Sequence, residues 1–184
     1  MEKTFYDDLL TLPLVQELET AAAAIRAEYE RLDLESLSAD WSEKGLYNKG
    51  WTVFGFRWRG TDISPAYQYC PVTAAILTRY ADLIDTAGFS ILQPGTIIYP
   101  HEGYVDSVLR MHLGVIVPEG DLRLRVGQDV RSWEEGKCFI FDDTVEHEVW
   151  NRTDQKRVAL LIDLKKDRLP LGAAVASPIE AAVV

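Results

Sequence analysis

From Phe89 onward the sequence is a succession of short β-rich runs, FSILQ, TIIYPH, RMHLGVIVP, LRLRV, KCFIFDD, HEVW and RVALLIDL. Turn signals such as Pro94-Gly95, Glu119-Gly120 and Glu135-Gly136 separate them. Parallel strands need crossovers of a dozen or more residues, usually helices, and the spacing here leaves no room for them. Seven runs so closely placed predict an antiparallel sandwich or jelly roll.

The residues before Phe89 read differently. PLVQELETAAAAIRAEYERL places Leu14, Leu18, Ala22, Ile25, Tyr29 and Leu32 at helical spacing, which predicts an amphipathic helix. SADWSEKGLYNKG is a turn-rich connector, and WTVFGFRWRG has a strand pattern. A second helix is expected from Pro71 through VTAAILTRYADLIDTA, with proline in its first turn and Gly88 as its C-cap. Both helices are expected to pack outside the strands. The chain of 184 residues, 47% apolar, supports one domain over 1–184. Within it the expected parts are N-terminal support over 1–88, a catalytic core over 89–166 and a tail over 167–184.

With 29 acidic against 19 basic residues the formal charge is −10, which repels nucleic acid and anionic membrane surfaces at long range. No apolar run is long enough for a membrane helix and MEKTFYDDLL lacks the order of a signal peptide, so a cytoplasmic location is expected. Cys70 and Cys138 are expected to be reduced core thiols. Composition does not address oligomeric state.

All three histidines fall in PHEGYVDSVLRMHL and FDDTVEHEVWN. His101 and His147, 46 positions apart, form the natural pair for a transition metal at the strand ends of a jelly roll. A two-histidine, one-carboxylate site would place its acid two residues beyond His101, and that residue is Gly103. Metal binding and chance clustering both remain open on the residues alone.

The segments SILQPGTIIYPHEGYVDSVLRMHLGVIVP and VRSWEEGKCFIFDDTVEHEVWNRTDQKRVALLIDL closely resemble the aspartyl/asparaginyl β-hydroxylase family of iron- and 2-oxoglutarate-dependent oxygenases. The likeness covers roughly Gly50 to Leu164, and the joint occurrence of PGT, PH, LRMHLG, WEEGK, FDD and HEVWN carries it. Several family members have glycine where other oxygenases have the carboxylate, so Gly103 matches that subgroup.

The resemblance implies a mainly β, cupin-like double-stranded β-helix with flanking N-terminal helices. It also implies that His101 and His147 hold Fe(II), that Arg157 with Ser90 takes the distal carboxylate of 2-oxoglutarate, and that Arg110 and His112 contact its keto-acid end. Asp143 is the preferred acid beside the metal, with turn capping as its alternative role. Trp133, Trp150 and Phe141 are assigned to the core. Trp51, Arg57, Trp58 and Arg59 are assigned to a substrate wall, with the two arginines suited to a substrate carboxylate.

The implied reaction consumes 2-oxoglutarate and O2, releases succinate and CO2, and hydroxylates an unactivated C–H bond. The expected substrate is an amino acid, a carrier-bound aminoacyl group or a related small metabolite. Halogenation by the same cosubstrate class and a non-catalytic binding module are the alternatives.

Overall fold

The computed structural model describes residues 3–171. A 3₁₀ turn at Asp7–Thr11 leads into α1 (Pro13–Tyr29), followed by α2 (Leu34–Leu37), β1 (Ala39–Asp40), β2 (Trp51–Trp58), β3 (Thr61–Asp62), α3 (Ser64–Tyr69) and α4 (Pro71–Arg79). The remaining strands are β4 (Ile84–Leu92), β5 (Ile97–His101), β6 (Val108–Ile116), β7 (Leu122–Val126), β8 (Asp129–Arg131), β9 (Cys138–Phe141), β10 (His147–Asn151) and β11 (Arg157–Lys165). All seven runs from Phe89 onward are strands. The two-residue strands β1 and β3 and the three-residue β8 are too short to leave an alternation pattern in sequence.

Two antiparallel sheets result. The larger has the order β1-β2-β4-β11-β6-β9, with β3 paired to β2, and the smaller has the order β5-β10-β7-β8. Leu92, Leu122, Leu124, Phe139, Phe141 and Ala159 pack between them. Behind the larger sheet, Leu14, Leu18 and Ile25 of α1 join Phe89, Met111 and Leu160 in a second apolar layer. The architecture is the expected jelly roll with its helices outside.

Because the centre of the large sheet is covered on both sides, strands β4, β6 and β11 are buried along most of their length and their alternation sorts residues between two interiors. On β11, Val158, Leu160, Ile162 and Leu164 join the helical layer. Arg157, Ala159, Leu161 and Asp163 therefore face the inside of the jelly roll. Arg110 and His112 on β6, and Ser90 on β4, have the same phase, since their neighbours Met111, Leu113, Phe89 and Ile91 join the helical layer.

The second helix is shorter than its sequence suggests. It stops at Arg79, and Gly88 lies within β4 rather than capping a helix. Pairing with β2 on one side and β11 on the other captures Ile84–Leu92 as a central strand. That gain overrides the local propensity of RYADLIDTA. A Cβ at Gly88 would lie 3.0 Å from the Phe54 carbonyl oxygen, so the glycine permits close strand packing. The expected boundary between residues 88 and 89 consequently cuts through β4.

Trp150 is likewise not a core residue. It is half-buried and donates to Asp121 Oδ1 at 2.6 Å, because β10 turns His147, Val149 and Asn151 inward and its even positions outward. Cys70 and Cys138 are buried free thiols, and burial pushes each up to about 12. The segment beyond Leu171, expected as a tail, lies outside the described residues.

One buried acid ties the helices together. Cys70 provides no side-chain cap for α4. Glu28 of α1 accepts instead from Val72 N at 2.6 Å, Thr73 N at 3.0 Å and Thr73 Oγ1 at 2.7 Å, while only 4% exposed. Its carboxylate satisfies donors at the positive end of α4. Glu28→Ala leaves them buried and unpaired, and we expect urea denaturation to register a loss on the order of 3 kcal/mol. A loss below about 1 kcal/mol would contradict this role.

Candidate active site

His101 ends β5 and His147 begins β10, and the two are direct partners across the antiparallel pair. Their ring centroids are 4.2 Å apart and their planes inclined at 51°. His101 Nδ1 lies 2.7 Å from the Tyr99 carbonyl oxygen, and His147 Nδ1 lies 3.0 Å from that of Val145. A carbonyl only accepts, so each Nδ1 carries the proton and each Nε2 keeps its lone pair. Burial holds His147 down to about 3, so this imidazole is neutral at physiological pH. Two facing imidazoles, each with its Nδ1 fixed on a backbone carbonyl and its Nε2 left free, fit a divalent transition metal. Among the described residues, no group of three or more His, Cys, Asp or Glu side chains is arranged to hold a metal.

Gly103 is held by Asp143. Its N–H donates to the Asp143 carbonyl at 2.7 Å, and a Cβ there would lie 2.7 Å from Asp143 Oδ2 and 2.9 Å from that carbonyl oxygen. The aspartate carboxylate thus occupies the space that a side chain on Gly103 would take. The turn-capping alternative for Asp143 falls to its neighbour, since Thr144 N and Oγ1 both donate to Asp142 Oδ1. Asp143 Oδ1 is buried without a hydrogen-bond partner, and burial raises its carboxyl above the ordinary value against the opposing pull of Arg110.

Arg110 is fully engaged within this group. Nε and Nη2 donate to the Asp163 carboxylate at 2.8 and 3.0 Å, and Nη1 lies 3.0 Å from Asp143 Oδ2. One guanidinium between two carboxylates leaves a formal excess of one negative charge beside the histidine pair. Arg110 thus shares a strand face with His112, as the sequence suggests, but is ion-paired to two acids of this chain.

A different polar group surrounds Arg157. This side chain is 1% exposed, forms no ion pair with a described carboxylate, and has a buried Nε without a partner. Nη1 donates to the Ser90 carbonyl at 3.0 Å and reaches Ser90 Oγ at 3.3 Å, and the guanidinium lies 4.7 Å from the centre of the Trp133 ring. Burial lowers it to about 9 without removing its charge at neutral pH. Ser90 Oγ also accepts from Trp51 Nε1 at 3.1 Å, which leaves its own hydrogen available.

His112 completes this group. Trp133 Nε1, which can only donate, points to His112 Nδ1 at 3.2 Å. The His112 proton is therefore on Nε2, which is buried and unpartnered. Burial, followed by the Arg157 charge, holds this imidazole well below its ordinary value and neutral. Arg157, His112 and Ser90 together present donors without a matching internal acceptor. A buried unpaired guanidinium is costly, and an anion relieves that cost.

A cleft of about 650 Å³ opens over this face of the large sheet. Ser90, His101, Gly103, Arg110 and Asp143 contribute to its lining, whereas Arg157, His112 and His147 lie deeper. The Phe141 ring stands 5.4 Å from His112 and 5.7 Å from His147, between the anion group and the histidine pair. Trp51, Arg57, Trp58 and Arg59 line the cleft, as expected of wall residues. Sequence reading misses two members. Asp163 sits in an apolar run but is in phase with Arg157, six residues earlier, and Trp133 belongs to the polar group rather than to a purely apolar core.

Comparison with known proteins agrees with this arrangement. The sequence profile of the aspartyl/asparaginyl beta-hydroxylase family matches residues 19–167. The chain is 38% identical over 176 residues to an ornithine lipid ester-linked acyl 2-hydroxylase of Rhizobium tropici, covering 86% of this chain and 59% of that protein. It is 35% identical over 130 residues to an aspartyl/asparaginyl beta-hydroxylase of Mus musculus, covering 66% and 17%. The chain thus spans less than two thirds of either relative. A Pseudomonas putida prolyl-4-hydroxylase structure superposes with a TM-score of 0.51 at 18% identity, covering 86% and 95% of the two chains, a likeness of fold. With the profile matching across both sheets and the histidine pair, this chain belongs to the aspartyl/asparaginyl β-hydroxylase family.

Proposed function

We propose that this chain is an Fe(II)- and 2-oxoglutarate-dependent hydroxylase. The observation that carries the reading is the juxtaposition of two facing imidazoles, each held by a backbone carbonyl at Nδ1, with a buried Arg157 that has no carboxylate partner among the described residues, on one concave face. Iron with 2-oxoglutarate and dioxygen supplies the oxidising power for hydroxylating an unactivated C–H bond, with succinate and CO2 as co-products.

His101 and His147 would hold the metal through Nε2. Arg157 Nε and His112 Nε2, both buried without partners, would donate to the anionic cosubstrate together with the Ser90 hydroxyl, whose own hydrogen is not engaged. Arg110 suits a positioning role: anchored on Asp163 through Nε and Nη2, it holds Asp143 against Gly103 through Nη1, so that Asp143 Oδ1 is available to a water beside the metal. The deep walls formed by Trp133 and Phe141 exclude water around these groups. The named activity of the Rhizobium relative supports a substrate whose oxidised acyl portion is carried on a larger body. An amino acid or a carrier-bound aminoacyl group belongs to the same range.

His101→Ala and His147→Ala should each reduce Fe(II)-dependent succinate release from 2-oxoglutarate to background, with far-UV circular dichroism unchanged. Near-native release by either variant would remove that histidine from the metal site. Arg157→Ala should weaken 2-oxoglutarate at least tenfold in calorimetric titration while leaving metal affinity within about threefold, because one charge-assisted hydrogen bond contributes about 1.5 to 3 kcal/mol. Unchanged 2-oxoglutarate affinity would exclude Arg157 from the anion site.

A further inference from the structure

The cleft extends across the large sheet to the far end of β2, beyond Trp51 and its bond to Ser90. Arg57 lies on its floor, 9% exposed, at a bulge where β2 slips against β4 between Gly55 and Arg57. Bulges of this kind re-aim a side chain. Arg57 Nη1 pairs with Asp62, its direct partner across the β2–β3 hairpin, and Tyr67 donates to the same carboxylate oxygen at 2.8 Å. Asp62 is thereby fixed from both sides and holds one edge of the guanidinium. Arg57 Nε on the other edge is buried and without a hydrogen-bond partner.

The hairpin turn provides a second, independent observation. Arg59 has φ +47°, followed by Gly60 at +76°, and it is the one non-glycine residue with positive φ among the described residues. Such a two-residue turn ordinarily takes asparagine, aspartate or glycine. Arg59 instead carries its guanidinium over the exposed Trp58 ring, 5.4 Å from the ring centre, and both line the cleft. Unfavourable backbone geometry at a cleft-lining residue is characteristic of functional positions. The acids that also line this region have partners: Thr86 donates to Asp85, Lys44 pairs with Asp40, and Trp41 Nε1 donates to Glu43.

We propose that the β2–β3 hairpin forms an oxyanion subsite, with the Nε edge of Arg57 taking a carboxylate or phosphate of the substrate and Arg59 drawing it in at the mouth. This rests on the hydroxylase reading for its biological meaning. Arg57 and Arg110 stand three strands apart in the order β2-β4-β11-β6, roughly 14 Å at the usual strand spacing. Val53, Leu161 and Val108 line the cleft along that span. The substrate class is accordingly elongated: an apolar chain oxidised near the histidine pair, with its oxyanion remote from the oxidised carbon.

The test uses the metal-free protein and the tryptophan fluorescence of the cleft, titrated with decanoate, decyl phosphate and 1-decanol. The two anions should bind at least tenfold more tightly than the alcohol. Arg57→Gln should abolish that preference with circular dichroism unchanged, and Arg57→Lys should restore only part of it, since lysine lacks the planar fork. Arg59→Gly should raise the melting temperature by relieving the turn while weakening decanoate about threefold, two opposite shifts that a purely structural residue would not produce. Equal affinity for decanoate and 1-decanol, or a preference that survives Arg57→Gln, would overturn the subsite. Unchanged decanoate affinity in Arg59→Gly would remove Arg59 from it. Succinate release measured on the same preparation separates the two readings: its absence beside an intact anion preference refutes the hydroxylase and leaves the subsite, and the converse refutes the subsite alone.

Discussion

A strand with protein on both faces has no solvent side on which to place a charge, yet β11 carries two inward-facing ones, Arg157 and Asp163. Their six-residue separation puts both on the concave side of the large sheet. The two are treated unequally. Asp163 is neutralised by a two-point pair with Arg110, whereas Arg157 receives only neutral partners among the described residues, the Ser90 oxygens and the Trp133 ring. Most of the site follows from that inequality, because a guanidinium left unmatched in a jelly-roll interior favours an anion beside it.

The electrostatics beside the histidine pair follow the same logic in reverse. Gly103 contributes no carboxylate, and Asp143 fills the space against it at distances too short for any side chain there. Asp143, Arg110 and Asp163 then form a fixed cluster with one excess negative charge, close to the imidazoles but carried on the β9–β10 turn and on strands β6 and β11. Negative charge can offset a bound cation from just outside its ligand set, where it constrains geometry less than a direct ligand does.

Much of this was legible in the sequence, for identifiable reasons. The seven β runs are punctuated by Pro-Gly and Glu-Gly turns, so their number survives without knowledge of their partners. Ser90, His101, His112, His147 and Arg157 stand within motifs that resemble the family's, and all lie on the concave side or at its rim. Where the reading failed, nonlocal pairing decided the outcome. RYADLIDTAG is acceptable as a helix end, and only β2 and β11, distant in sequence, make it a central strand. Trp150 was assigned by its size to the core, although an alternation counted from His147 places it outside. Asp163 was overlooked in an apolar run, although the same count from Arg157 places it inside. The ion pairs of Arg110 were not legible, because its two carboxylate partners come from the β9–β10 turn and from β11, both distant in sequence.

The central claim is that the metal would be held by two histidines with the nearest acid outside its ligand set. A crystal structure obtained anaerobically with Fe(II) and 2-oxoglutarate tests it directly. The account predicts metal bonds from His101 Nε2 and His147 Nε2, the distal carboxylate of 2-oxoglutarate on Arg157, and Asp143 reaching the metal only through water. An Asp or Glu oxygen of this chain within about 2.0 to 2.3 Å of the metal, the range of direct carboxylate ligation, would contradict it.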